Sequence, residues 1–142
     1  MSETYDLIVR GGTLVTPEGT LRADIAASGG RIARIAPAIE GAASEVVDAA
    51  GHYVMAGIID SHVHFNEPGR ANWEGLETGS NALAAGGGTA FFDMPLNSLP
   101  PVTNAASFAL KRAAAERFAR TDFGIWGRLV PGNAGEFGAM RD

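Results

Sequence analysis

The sequence predicts an α/β protein, with a small all-β segment over residues 1–53 followed, over 54–142, by strands and helices in alternation. Three observations lead there. Up to about residue 53 the chain is short apolar runs broken by Gly-Gly and Pro-Glu-Gly turns, and beyond it short apolar runs alternate with longer helical stretches. Glycine, at 19 of 142 residues, is well above the roughly 7% of average usage while the hydrophobic fraction of 46% is ordinary, so the chain reads as globular and rich in tight turns.

Taken in order, "YDLIVRGG", "GTLVTPEG", "ADIAASGGRIARIA" and "EVVDAAGHYV" read as strands. The third is a hairpin, because Gly29-Gly30 between apolar-rich runs supplies the positive φ angles of a two-residue turn. Pro17-Glu18-Gly19 marks another turn. "VMAGIIDSHVHF" then reads as a buried strand, "NWEGLETGSNALAAGG" as a helix closed by glycines and "GTAFFDM" as a second buried strand. "NAASFALKRAAAERFAR" is a helix with Phe108, Ala115 and Phe118 near a 3.6-residue period, "TDFGIWGRLV" a third strand and "NAGEFGAM" the start of a third helix. Strands alternating with helices imply a parallel sheet with right-handed crossovers.

Composition excludes several classes of function. A formal net charge of −5, with Lys111 the one lysine, argues against nucleic acid or an anionic membrane surface as partner. With no cysteine there is neither a disulfide framework nor a thiolate metal site, so any metal must be held by His, Asp or Glu. The start "MSETYDLIVRGG" carries acidic residues where a signal peptide needs basic ones, and no apolar run reaches the length of a membrane span. These features point to a cytoplasmic protein.

"GIIDSHVHFNEPGR" holds two of the three histidines. On a strand, Asp60, His62 and His64 share one face, with the imidazoles roughly 6.5–7 Å apart at the backbone and at the strand's C-terminal end, where α/β proteins build their sites. Two chemistries fit: a pair converging on one metal ion, or hydrogen-bonded histidines of a packed core.

The longer stretch "GIIDSHVHFNEPGRANWEGLETGSNALAAGGGTAFFDMPLNSLPPV" resembles the amidohydrolase superfamily, in its cyclic-amidase branch, and within that branch the allantoinases. The resemblance covers residues 5 to about 133 and rests on "DxHxH", "NEPG", "WEG", "AAGGGT" and "DMPLNSxPP" falling in that order. It implies that residues 54–142 are the first strand–helix units of a metal-dependent (β/α)8, TIM-like barrel, and 1–53 part of a small β-sandwich beside it. It implies further that His62 and His64 ligate a divalent metal, usually zinc, in a binuclear site, with Asp60 supporting the ligands. One departure is Ala56, where the family usually has proline before Gly57.

Against the family's dihydroorotases, this chain has Asn66 where they carry an arginine that grips a carboxylate. An amide suits the uncharged ureido and imide groups of a hydantoin, so Asn66 favours allantoin, the alternative being that it merely caps the turn before Pro68. In "DMPLNSLPP" Leu96 shifts the amide to Asn97, a second candidate for the substrate, and Arg70 is a nearby cation that would orient a carbonyl or lie in solvent. His52 reads as a turn residue, and Trp73, Trp126, Phe91 and Phe92 as core. The carboxylated lysine that bridges the family's two metals is expected outside this chain, since Lys111 lies mid-helix beside Arg112 and reads as solvated.

A closed barrel takes about 250 residues, so this 142-residue chain is expected to be an N-terminal portion, inactive alone, with further histidines and a catalytic aspartate beyond it. The implied reaction of the whole is hydrolysis of allantoin to allantoate in purine breakdown, with metal-activated water and an aspartate moving the proton. The substrate is a small cyclic amide, and the complete enzyme is expected to be a homo-oligomer. Two rivals stand: a dihydroorotase or a hydantoinase (dihydropyrimidinase)-like hydrolase, and a non-catalytic homologue acting as an assembly partner.

Overall fold

A computed structural model describes residues 4–141, and the chain divides into two compact units, Met1–Ala56 and Gly57–Asp142. Among the described residues no helix is long and apolar enough to cross a membrane.

The first unit is one five-stranded sheet of β1 (Thr4–Thr16), β2 (Gly19–Ser28), β3 (Arg31–Ala36), β4 (Ala42–Asp48) and β5 (Tyr53–Val54), in the order β3-β2-β1-β4, with β5 also on β1. Two expected strands are fused in β1: the chain passes Gly11-Gly12 without turning, and the extra residue is absorbed as a register shift between Val9 and Gly12. The predicted hairpin is present, with Gly29 and Gly30 at φ 59° and 72° and Ser28 paired with Arg31. Tyr5, Ile8, Ala26 and Ile39 form the core.

At one edge of that core, the buried Asp24 carboxylate accepts the N–H groups of Gly11 (2.8 Å) and Ile39 (3.0 Å). Chiefly the Gly11 N–H, with the Ile39 N–H and Arg10 adding, holds this carboxyl below its ordinary value of 3.8 against the opposing effect of burial. A lowered folded pKa stabilises the fold above the unfolded value and ceases to do so as pH falls through the folded one. Asp24→Ala is therefore expected to destabilise the chain at pH 7 by about 3 kcal/mol, two charge-assisted bonds being lost. The deficit should shrink as pH drops below 3.8, which thermal melts at pH 7 and pH 3 will check.

In the second unit β6 (Ile58–Val63), β7 (Gly88–Asp93) and β8 (Asp122–Ile125) form a parallel sheet in that order. Helices α1 (Leu76–Ala85) and α2 (Ala105–Phe118) make the two crossovers, and a 3-10 turn at Ala134–Glu136 leads into α3 (Phe137–Arg141). Asn104 caps α2, its Oδ1 accepting the Ser107 N–H at 2.9 Å while Ser107 Oγ accepts the Asn104 N–H at 3.2 Å. Gly75 precedes α1 and has no side chain to cap it, and Glu67 Oε2 accepts the Leu76 N–H instead, at 2.7 Å. Phe65, Leu76, Phe91 and Ala115 are the core, with Val63, Leu83, Phe118 and Phe123 packed round it.

Two expectations fail here. The strand β6 is not buried: it pairs with β7 alone, leaving Ile58 and Ile59 57% and 63% exposed. Of the four aromatic residues read as core only Phe91 is fully buried; Trp73 is 62% exposed, Trp126 48% and Phe92 37%. Strand alternation explains the split between neighbours, because Phe91 and Asp93 face the helices while Phe92 points through the other side, onto Trp126.

Candidate functional site

His62 is the second-last residue of β6 and His64 the first beyond it, so both imidazoles leave from the C-terminal end of the strand. Their ring centroids are 5.3 Å apart with planes inclined by 59°. Simple alternation does not account for this alone, because the register of β6 on β7 shifts between Asp60 and Val63. The Asp60 carboxylate accepts the His62 N–H at 3.0 Å and so props the main chain of the first histidine. The indole N–H of Trp126, beyond the end of β8, donates to Ser61 O at 3.1 Å and ties the two outer strands together beside the pair.

Asn97 comes to the same place from the loop after β7. It has a left-handed φ of 68°, which asparagine tolerates better than most residues, and its amide lies 3.4 Å from His64 Nδ1. The structure thus gathers Asp60, His62, His64 and Asn97. Two other candidates are engaged elsewhere. Asn66 is buried in the loop after β6, its amide donating to Glu74 O at 3.3 Å while Oδ1 has no partner. The Arg70 guanidinium lies 4.7 Å from the ring centroid of Trp73. His52, as expected, sits in a turn with Nδ1 3.1 Å from Ala50 O.

The residue that sequence reasoning misplaced is Lys111. It is 1% exposed rather than solvated, and Nζ lies 2.8 Å from Asp93 Oδ2, itself on a side chain 1% exposed. The other two donors go to Phe65 O and Glu67 O, each at 3.0 Å. Asp93 Oδ1 accepts the Phe65 N–H at 3.0 Å. Burial pushes the Asp93 carboxyl up, while Lys111 foremost, then the Phe65 N–H and His64, act against that rise. A signal existed: the inner face of α2 is Ser107, Lys111 and Ala115, spaced by four, so the periodicity that placed Ala115 inside placed Lys111 there too.

As a metal site the histidine pair fits as part of a ligand set. Neutral imidazoles are the commonest metal ligands, and two rings this close can meet at one ion. Among the described residues no group of three or more His, Cys, Asp or Glu is placed to hold one, and a catalytic zinc takes three protein ligands. The remaining ligands would come from elsewhere.

The sequence profile of the amidohydrolase family matches residues 53–134. The chain belongs to the amidohydrolase family. Amidohydrolases similar to it include a protein named allantoinase from Solibacter usitatus, 53% identical over 96% of this chain and 30% of the relative. A second allantoinase, from Bacillus velezensis, is 55% identical over 90% of this chain and 28% of the relative. Among solved structures, the L-hydantoinase (dihydropyrimidinase) of Arthrobacter aurescens superposes with a TM-score of 0.88 at 35% identity, covering 97% of this chain and 31% of that one. The D-hydantoinase of Bacillus sp. AR9 gives 0.79 at 29% identity, covering 96% and 30%. The amidohydrolase chain thus spans about 30% of the length of the curated relatives it matches. Its α/β fold is that of the first strand–helix units of the family's barrel, preceded by a β-sheet unit.

Proposed function

We propose that the chain supplies two metal-ligating imidazoles and part of the substrate pocket of a cyclic amidohydrolase that opens the hydantoin ring of allantoin to give allantoate. The observation that carries this reading is the pair of imidazoles 5.3 Å apart at the end of the first barrel strand. Identity of 53–55% to proteins named allantoinase supports allantoin as that ring. His62 and His64 hold a divalent metal, zinc in this reading, with a carboxylated lysine and further ligands from outside the chain. When bound, the metal polarises the ring carbonyl and activates water. Asp60 holds the His62 backbone and Asn97 lies against His64, close enough to meet a substrate beside the metal. Asn66 offers an unpartnered acceptor, Oδ1, that reaches a ring N–H once its side chain rotates out of the loop, and Arg70 offers a cation to a ring carbonyl. The site works in the cytoplasm, in a homo-oligomer.

A hydantoinase is the second reading, favoured by the two hydantoinase superpositions. The test is a chimera in which this chain replaces the matching segment of the Bacillus velezensis allantoinase. Turnover of allantoin well above that of hydantoin and dihydroorotate is expected. Preference for hydantoin would select the second reading, and a metal-loaded, folded chimera with no turnover would mean an assembly role.

With two ligands, the chain by itself should bind Zn2+ weakly. Purified alone and dialysed, it is expected to retain far less than one zinc per chain and to leave allantoin unhydrolysed. Stoichiometric zinc after dialysis would show that a third ligand had been overlooked.

A further inference from the structure

We propose that Lys111 and Asp93 are positioning residues for His64: the buried pair clamps the main chain just after that imidazole and thereby sets where it points. This rests on the reading of His62 and His64 as metal ligands. Neither member of the pair reaches the open site, both side chains being 1% exposed.

The geometry is specific to the main chain it holds. The Phe65 N–H belongs to the rigid peptide plane that joins His64 to Phe65, and Asp93 Oδ1 accepts it at 3.0 Å, which fixes the orientation of that plane. The next carbonyl, Phe65 O, takes one Lys111 donor at 3.0 Å, and Glu67 O takes another at the same distance. The ammonium's third contact, at 2.8 Å, is an ion pair with Asp93 Oδ2 itself. Consecutive peptide units on the C-terminal side of His64 are therefore held from β7 and α2 at once.

Stability alone is a poor reason for such a pair. Taking two charges out of water costs about as much as their attraction returns, and apolar side chains of similar volume commonly serve as well or better. What apolar side chains cannot do is hold an N–H and two carbonyls in set directions. The Lys111–Asp93 pair does that, on the residues next to a ligand.

The test uses this chain and Zn2+ as probe. Zinc titrations followed by the imidazole 15N resonances report affinity at His62 and His64, and thermal melts report stability. Lys111→Met should lower both, the affinity by at least about tenfold, the range found when partners that orient metal ligands are removed. The charge-neutral double variant Asp93→Asn/Lys111→Met should recover most of the melting temperature while its zinc affinity stays low, because Phe65 O keeps only the local Glu67 N–H and neither it nor Glu67 O is any longer held from α2. Recovery of both together would reduce the pair to a structural element and overturn the proposal. Coupling between sites is reciprocal, so in the unmutated chain zinc should slow exchange of the Phe65 amide several-fold. Exchange of that amide unchanged by saturating zinc would overturn the proposal even if no variant folds. Absence of any zinc-dependent shift at His62 and His64 in the unmutated chain would instead remove the metal reading beneath it.

Discussion

In the allantoinase chimera, His62→Ala is expected to lower kcat/KM on allantoin by more than about a hundredfold and to leave the purified protein depleted of metal. The floor comes from comparison: removing a partner that merely orients a ligand costs about 10- to 100-fold in affinity or activity, and removing the ligand must cost more. His62 and His64 are the paired imidazoles of this segment, 5.3 Å apart, and either one alone grips an ion far less well. The side chain of His62 is exposed, so its loss should change stability by no more than about 0.5 kcal/mol. Metal analysis, steady-state kinetics and a melt on the same preparation separate these effects. Wild-type kcat/KM in His62→Ala would remove the pair from the site.

Phe91→Ala is expected to be the most destabilising apolar substitution in the second unit, by about 3–5 kcal/mol. The ring is fully buried at the centre of the sheet, edge-on to Phe65 at 4.9 Å and stacked on Phe123 at 6.1 Å. Alanine removes the contacts of both neighbours at once and leaves a hole that they cannot close while β7 and the helices stay in place. For a unit of this size a loss of that order lowers the melting temperature by more than about 10 °C. Phe92→Ala, on the opposite and more open face of the strand, should cost much less. Equal losses in the two variants would mean that the face assignments of β7 are wrong. Phe65 follows His64 directly, so Phe91→Ala should also loosen the second imidazole, visible as weakened zinc binding before the unit melts.

What the sequence made legible was local. Gly29-Gly30 announces its hairpin because two positive φ angles in succession are a requirement of the backbone itself. His62 and His64 could be placed together because a single residue, Val63, lies between them at the strand's end, and Asp60 could be placed near them because it stands two positions before His62. The fusion of two expected strands into β1 was hidden, since Gly11-Gly12 reads as a turn unless the strand's partners are known. Trp73, Trp126 and Phe92 were misread because a large aromatic group signals burial only on average, whereas the face it occupies depends on which elements cover it. Lys111 was the largest miss. Its partners Phe65, Glu67 and Asp93 lie on other elements, so no window along the chain contains the interaction, and a lone lysine on a helix looks solvated until the helix face is worked out.

The clamp on Phe65 also orders events in time. The bond from Lys111 to Phe65 O joins residues 46 apart, whereas both histidines have been made by residue 64. A growing chain that has emerged only as far as the loop after β7 already contains the histidine pair and Asp93, but lacks the Lys111 donor to the carbonyls behind the second imidazole. Domains fold largely as units once their contacts can form, and long-range contacts form late. If the two imidazoles are the ligands proposed above, the nascent chain presents them loosely until α2 is made and docked, and in their final arrangement only afterwards. On the proposed reading of the pair as metal ligands, metal capture would be deferred in this way by the order of the chain until the segment has acquired its shape.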